Sequence, residues 1–202
     1  MSHNMFSYNQ EEAVKAGVSN FVSESNAYAG KIVSAEWIVS SQKGTKGIEL
    51  SFETDEGLRA NYLTIYYQKS DNTMLTGSKM LNAIIGCVRG DALTSKGINQ
   101  QNGETKYFCP ELQGKVIGLI LQKVLYTKQD GSDGYKFEIR IPFIPQTGKT
   151  LGEQLGNKDA QAVNKILSTL TDKDDRTGGS DPHLNQGQQS AGMDNFVDDG
   201  WE

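Results

Sequence analysis

Alternation of apolar and polar residues is the feature that most constrains how this chain folds. Three segments, 28–40, 47–54 and 58–67, alternate with the period of two that a half-buried strand requires. Glycine-containing turns separate them, the second at 55–57. The pattern predicts a three-stranded antiparallel meander.

The alternation also predicts which face of each strand is buried. In the first strand Val33, Ala35, Trp37 and Val39 share one face, which we expect to be the inner one. In the third strand Leu63 and Ile65 lie on the inner face, and the outer face carries Ala60, Tyr62, Thr64 and Tyr66.

The second half of the chain adds a helix and a hairpin. Apolar residues recur at helical spacing over 78–88, with Ser78 as the expected N-cap. A polar stretch at 91–113 predicts a long loop, and two further strands are predicted at 115–126 and 134–144. A last helix is expected over 157–170, capped by Asn157.

The element order β-β-β-α-β-β predicts a mainly β protein. It is the order of the five-stranded OB-fold, a Greek-key barrel, here followed by a C-terminal helix and a disordered acidic tail. Element order alone leaves an SH3-like barrel or an α+β sandwich open.

Charge divides the chain into a basic body and an acidic end. Net charges are −2 for residues 1–30, +3 for 31–170 and −6 for 171–202. The last segment has few aliphatic residues to bury, so we expect it to be disordered. The predicted organisation is an N-terminal arm with a short helix at 1–27, an OB-fold domain at 28–150, a C-terminal helix at 151–170, and the acidic tail at 171–202.

Aromatic and acidic residues alternate at the very end of this tail, which is typical of a docking peptide. The candidate docking residues are Asp194, Phe196, Asp198, Asp199, Trp201 and Glu202.

Several classes of protein are disfavoured by the residues that are missing. There is no apolar run of roughly 18–20 residues for a membrane span and no secretory signal at the start, so we expect a cytoplasmic protein. The two cysteines cannot form a four-cysteine zinc site, and we expect neither a metal nor another cofactor.

The sequence also offers no catalytic constellation, and we predict that the protein is not an enzyme. Gly148-Lys149-Thr150 resembles the end of a phosphate-binding loop, but Phe143 stands where the first glycine of that motif belongs. Both histidines lie in the terminal segments, away from any partner that would hold a catalytic base in place.

Exposed rings beside basic residues indicate single-stranded nucleic acid as the ligand, because bases stack on rings while cations follow the phosphates. Tyr62 and Tyr66 are the candidate stacking residues, with Tyr126 and Tyr135 as helpers. The candidate phosphate contacts are Lys43, Lys46, Arg59, Lys136 and Arg140.

The layout resembles that of the small single-stranded-DNA-binding proteins of bacteriophages. The resemblance rests on the meander at 28–67, the helix at 78–88, the segment 112–126, the hairpin ending at Phe143, and DNFVDDGWE at 194–202. It implies a core that coats single-stranded DNA without sequence preference, and a tail that recruits partners and competes with DNA. Bacterial versions end on an apolar pair, whereas this chain ends Gly200-Trp201-Glu202, which favours phage-encoded partners.

The resemblance thus implies a role in phage DNA replication, recombination and repair in the cytoplasm of an infected bacterium. The expected partners are single-stranded DNA, a polymerase, helicase, primase or recombinase bound through the tail, and other copies of the chain on DNA. A different class stays open, namely a protein-interaction adaptor or recombination mediator that does not bind DNA. RNA in place of DNA is a third possibility, although nothing in the sequence indicates recognition of a 2′-hydroxyl.

Overall fold

The alternating segments build one large sheet, which the computed structural model describes within residues 5–13, 17 and 19–176. The strands are β1 (Asn26–Val39), β2 (Lys46–Thr54), β3 (Arg59–Gln68), β4 (Lys96–Asn99), β5 (Thr105–Phe108), β6 (Val116–Thr127), β7 (Asp133–Phe143) and β8 (Lys173–Asp174). The helices are α1 (Gln10–Ala13), α2 (Gly77–Cys87), α3 (Leu151–Leu155) and α4 (Ala162–Leu167). None of these helices is long and apolar enough to cross a membrane.

Strand β1 is the centre of the sheet. On one side it pairs with β2, and β2 pairs with β3 to complete the predicted meander. On the other side its first half pairs with β6 and its second half with β5, so that two branches diverge there. One branch is the β4–β5 hairpin, and the other is β6 with β7 and β8. All pairs are antiparallel except β6–β8.

The mainly β class is therefore confirmed, and the sheet is open. Strands β3 and β7 lie near each other, but no ladder joins them in the described part of the chain. Helix α2 packs against both strands and buries Leu81, Ile84 and Cys87. Its first residue, Gly77, comes so near to β3 that a Cβ there would lie 2.1 Å from the carbonyl oxygen of Tyr66. A helix thus occupies the position where the predicted barrel would close.

Three of the four bulges in the described ladders change the faces that strict alternation predicts. A bulge in β1 at Val33 places Ile32 in the core and leaves Val33 exposed. A second bulge, in β3, buries Ala60, which we expected on the outer face with Tyr62. A third lies in β7 at Arg140, and beyond it both Pro142 and Phe143 are buried. Each bulge inserts one extra residue, and the inward face changes parity after it.

The polar stretch at 91–113 is not a simple loop, because it contains the β4–β5 hairpin. The base of this hairpin is fastened by Glu111, whose carboxylate accepts hydrogen bonds from the backbone N–H and the hydroxyl of Thr94. The Thr94 carbonyl in turn accepts a hydrogen bond of 2.9 Å from the Trp37 indole N–H. The two bonds from Thr94 lower the pKa of Glu111 to about 2.

The predicted helix boundaries also need correction. Helix α2 begins after Thr76, and Ser78 lies inside it, with its hydroxyl donating to the carbonyl of Leu75. The single helix expected at 157–170 is replaced by two short helices, α3 and α4. Asn157 adopts a positive φ of 49° in the turn that follows α3, and the backbone N–H groups of Asn157 and Lys158 donate to the carbonyls of Gln154 and Glu153. It therefore ends α3 and is not the N-cap of a following helix.

The residues that resembled a phosphate-binding loop form a helix cap. Thr150 and Glu153 make a capping box at the start of α3. Glu153 is buried, and its carboxylate also accepts backbone N–H bonds from Gln161 and Ala162 at 2.8 and 2.7 Å. Burial opposes ionisation of Glu153, but donors from Gln161, Thr150 and Ala162 outweigh it, and its pKa lies below the ordinary 4.5.

We expect Glu153→Gln to lower the free energy of unfolding at pH 7 by about 3 kcal/mol, because an amide NH₂ would face backbone donors in a buried site. Urea denaturation measures the loss, and Glu56→Gln in an exposed turn is the control. Because the folded-state pKa is lowered, the stabilisation by Glu153 is present above pH 4.5 and is lost as the pH falls through the folded value. The two proteins should therefore converge in acid, and a difference independent of pH would contradict the assignment.

Candidate nucleic-acid interface

Two tyrosines stand out on the outer face of β3. Tyr62 is 75% exposed and Tyr66 is 42% exposed, whereas Leu63 and Ile65 on the inner face are buried. Thr64 lies between the two rings and is exposed as well. Four residues of strand separate the tyrosines, about 13 Å along the chain, which leaves room for each ring to stack on a different base.

The exposure of Tyr62 depends on the bulge in β3. Leu63 pairs with Leu50 and Ala60 pairs with Phe52, so Asn61 and Tyr62 together oppose one residue of β2. Tyr62 also has a positive φ of 61°. This conformation costs a non-glycine residue about 1–2 kcal/mol, and such strain concentrates at functional sites.

Tyr66 lies beside the basic turn between β1 and β2. It pairs with Gly47, where a Cβ would lie 2.9 Å from the ring, so the glycine leaves room for the ring against the sheet. Lys46, the next residue, donates a hydrogen bond of 3.0 Å to the side chain of Gln68. Lys43 is exposed in the turn itself. The structure thus brings Tyr66, Lys43 and Lys46 to the same end of β3. The side chain of Lys46, however, leaves β2 on the face of the buried Ile48, opposite to the face of Tyr66.

Arg59 lies at the other end of β3 and is already paired. Its guanidinium is 3.5 Å from the carboxylate of Glu53, which also binds Lys31 at 2.9 Å. The hydrogen bond from Lys31 is the main cause of the lowered pKa of Glu53, and Arg59 adds to it. A phosphate at this position would have to compete with Glu53 for Arg59.

The β6–β7 hairpin carries the other predicted residues, but on two different faces. Tyr126 pairs with Gly134 and covers it, and Lys136 shares that face. Tyr135 points to the opposite face with Phe137, to which its ring is edge-on at 5.9 Å between centroids. Tyr126 and Tyr135 therefore do not form one stacking platform.

The two cations predicted on β7, Lys136 and Arg140, both have charged neighbours. Lys136 forms an ion pair of 2.7 Å with Glu138. Arg140 is exposed at the bulge. The pKa of Lys173 in β8 is raised by a hydrogen bond to Asp175 and by the charge of Glu138, and the charge of Arg140 opposes this rise.

One residue of this region was missed by sequence reasoning. The ammonium of Lys123 lies 4.8 Å from the centroid of the Tyr135 ring, within the range of a cation–π contact. Lys123 is an isolated cation in an otherwise apolar strand, which was the available signal. Its partner depends on the register of β6 and β7, which the sequence does not specify.

The outer face of the sheet carries carboxylates as well as cations. Glu49 of β2 accepts a hydrogen bond from the Thr64 hydroxyl at 3.4 Å. Glu36 of β1 pairs at 3.0 Å with Lys106 of β5. Lys43 and Lys46, at the same end of β3 as Tyr66, form no ion pair with a carboxylate within the described residues.

Neither cysteine is suited to nucleophilic chemistry. Burial raises the pKa of Cys87 and of Cys109 to about 11, in the second case together with a hydrogen bond to Glu111. Both thiols are therefore protonated at neutral pH. Over residues 5–13, 17 and 19–176, no group of three His, Cys, Asp or Glu side chains is placed to hold a metal ion.

The first residues of the predicted tail are bound to the sheet. Strand β8 pairs with Val124 and Leu125 of β6, and Arg176 forms an ion pair of 2.9 Å with Asp133 at the start of β7. The chain therefore leaves the sheet beside the β6–β7 hairpin. The docking residues lie outside the described residues: Asp194, Phe196, Asp198, Asp199, Trp201 and Glu202.

No protein-family model matches the chain, and no curated protein matches it.

Proposed function

We propose that this chain is a non-enzymatic protein that binds single-stranded DNA without sequence preference. The observation that carries the proposal is the outer face of β3, where Tyr62 and Tyr66 expose their rings and Tyr66 lies beside the basic turn that holds Lys43 and Lys46. Rings that stack on bases next to cations that neutralise phosphates are the two requirements of such a protein.

The strand pairing supports an OB-type architecture for the core. In the OB-fold the first strand pairs with both the second and the fourth, and the helix lies between the third and the fourth strands in sequence. Here β1 pairs with β2 and β6, and α2 lies between β3 and β6 in the chain. The β4–β5 hairpin is then an insertion after the helix. The OB-fold binds oligonucleotides on the face of its second and third strands, which corresponds here to β2 and β3.

The proposal extends to the cell in which the protein acts. We infer a role in phage replication, recombination and repair, in which the core coats and protects single strands. The acidic segment beyond Arg176 recruits a polymerase, helicase, primase or recombinase through Phe196 and Trp201. The support for this part is the sequence pattern of 194–202 and the exit of the chain beside the β6–β7 hairpin.

The test of the proposal is fluorescence anisotropy of labelled dT oligonucleotides and a matched duplex. Binding should favour the single strand and weaken with salt, since phosphate contacts release counterions. Flat curves for both ligands would overturn the proposal and favour the adaptor interpretation. A preference for RNA oligonucleotides would reassign the ligand.

We expect Lys43→Gln combined with Lys46→Gln to weaken binding and to reduce the salt dependence. Each phosphate contact contributes about 0.7 to the slope of log K against log salt for a single strand, so the slope should fall by about 1.4. The matched control is Lys158→Gln, a change at an exposed lysine after α3. An unchanged slope in the double variant would remove the turn from the interface.

A further inference from the structure

The free edge of the sheet at β4 lies outside the proposed DNA-binding face of β3. All four residues of β4, Lys96–Asn99, are exposed, and the strand pairs on one side only, with β5. An exposed edge strand presents unpaired N–H and C=O groups, on which another strand can pair.

The register identifies which backbone groups face this edge. The N–H of Gln100 donates to the carbonyl of Glu104 at 2.7 Å, so these opposed residues are a hydrogen-bonded pair. Hydrogen-bonded and non-hydrogen-bonded pairs alternate along an antiparallel ladder. Ile98 and Lys96 therefore bond to β5, and the backbone groups of Gly97 and Asn99 point away from it.

The next ladder agrees with this assignment. The N–H of Cys109 donates to the carbonyl of Ala35, so Tyr107, two residues earlier, directs its backbone towards β1. Tyr107 is the residue opposite Gly97, and its backbone is therefore not available to Gly97. No backbone hydrogen bond of Gly97 or Asn99 is formed within the described residues.

We propose that two copies of this chain pair through β4, antiparallel and about a two-fold axis at Ile98. Gly97 of each copy then lies opposite Asn99 of the other copy. Each of these two pairs makes two backbone hydrogen bonds, which gives four in total. The pattern is self-complementary, which is what a two-fold interface requires.

The side chains of β4 are compatible with the two-fold pairing. Ile98, 46% exposed in one copy, lies opposite Ile98 of the second copy and covers it. Lys96 lies opposite the uncharged Gln100 of the second copy. Glu104 of that copy lies beside Gln100 on the next strand, two strand spacings or about 10 Å from Lys96. A lysine and a glutamate therefore approach each other at both ends of the strand pair.

The dimer should be weak because its interface is small. A pairing of four residues buries far less than the roughly 1,200 Å² of a stable interface, so we expect a Kd of about 0.1 mM. The pairing is independent of the proposed DNA-binding face of β3, and it is tested without DNA.

The experiment is oxidative crosslinking, at high concentration, of full-length variants that each carry one introduced cysteine. Opposed residues of a non-hydrogen-bonded pair lie about 4.5 Å apart between Cα atoms, near the range of a disulfide. Ile98→Cys should therefore form a covalent dimer rapidly. Lys96→Cys, on the same face of the same strand, should not, because its counterpart lies about 13 Å further along the strand pair. The native Cys87 and Cys109 are buried and add no background.

Equal crosslinking at both positions, or none at either, would overturn the two-fold pairing. Sedimentation equilibrium of the unmodified chain provides a second measurement. The average mass should rise with concentration, and Ile98→Asp should abolish the rise by opposing two like charges. Val39→Asp, at an exposed apolar residue at the end of β1, is the matched control and should dimerise normally. A mass that stays monomeric up to about 1 mM would also overturn the proposal.

Discussion

Removing the rings of Tyr62 and Tyr66 should reduce the affinity for single-stranded DNA by about 25-fold or more. Stacking of a base on an aromatic ring contributes about 1–3 kcal/mol, so each ring accounts for about 5- to 150-fold. We expect Tyr62→Asn and Tyr66→Leu to have separate effects that combine nearly additively, since the rings are four residues apart on β3. Anisotropy titrations with a dT oligonucleotide at fixed salt measure the loss.

The choice of asparagine separates the ring from the backbone. Tyr62 has a φ of 61°, a conformation that asparagine adopts more readily than most residues. Tyr62→Asn should therefore keep or raise the free energy of unfolding while it weakens DNA binding. A parallel loss of both would indicate that the bulge, rather than the ring, is responsible.

The control for both substitutions is a tyrosine on the other side of the sheet. Tyr107 is 51% exposed and pairs with Trp37, on the face opposite to that of Tyr66. Tyr107→Leu should leave the affinity unchanged. If all three variants weaken binding equally, the outer face of β3 is not the specific site of stacking.

Ending the chain after Arg176 should tighten binding by about tenfold at low salt. The segment 177–202 has a net charge of −5 and begins beside the β6–β7 hairpin, where Arg176 binds Asp133. A tethered anion is present at a local concentration in the millimolar range, so it competes with DNA for the cations of the sheet. Salt screens this competition, and the advantage should shrink as the ionic strength rises.

The length of the segment is controlled separately from its charge. A full-length variant in which the five acidic residues are changed to amides should bind like the truncated chain, with substitutions Asp181→Asn, Asp194→Asn, Asp198→Asn, Asp199→Asn and Glu202→Gln. Truncation before residue 173 is less suitable, because it removes β8 from the edge of β6. Equal affinity of the truncated and full chains at every salt concentration would contradict the competition.

The sequence predicts most of the strands because each strand buries one face. Burial of one face requires apolar and polar residues to alternate, and this alternation is visible in the sequence. Strands β1, β2, β3, β6 and β7 all start within two residues of their predicted positions. The faces are predicted less well, since a bulge is a local choice between two pairings of similar energy. Nothing in the residues around Val33 or Tyr62 identifies the extra residue, and one extra residue inverts everything beyond it.

The β4–β5 hairpin was missed for a different reason. Its strands have four residues each, and all four residues of β4 are exposed, so burial leaves no pattern to detect. Pairing of β5 with β1 holds the hairpin in place, and that is a contact distant in sequence.

The candidate site was predictable only in part. The exposed rings on β3 follow from the alternation of that strand. The ion pairs of Arg59 and Lys136 depend on register.

The clasp of Thr94 and Glu111 at the base of the β4–β5 hairpin has a consequence for how the chain tolerates change. Because the Glu111 carboxylate has a pKa of about 2, it stays ionised and holds Thr94 at any pH a cell experiences. The ends of the hairpin are thus fixed independently of its tip at 101–103. Extra residues at such a fastened tip cost only the slowly growing entropy of a longer loop. The tip is thus a place where a peptide or a fluorescent reporter can be inserted without loss of the sheet.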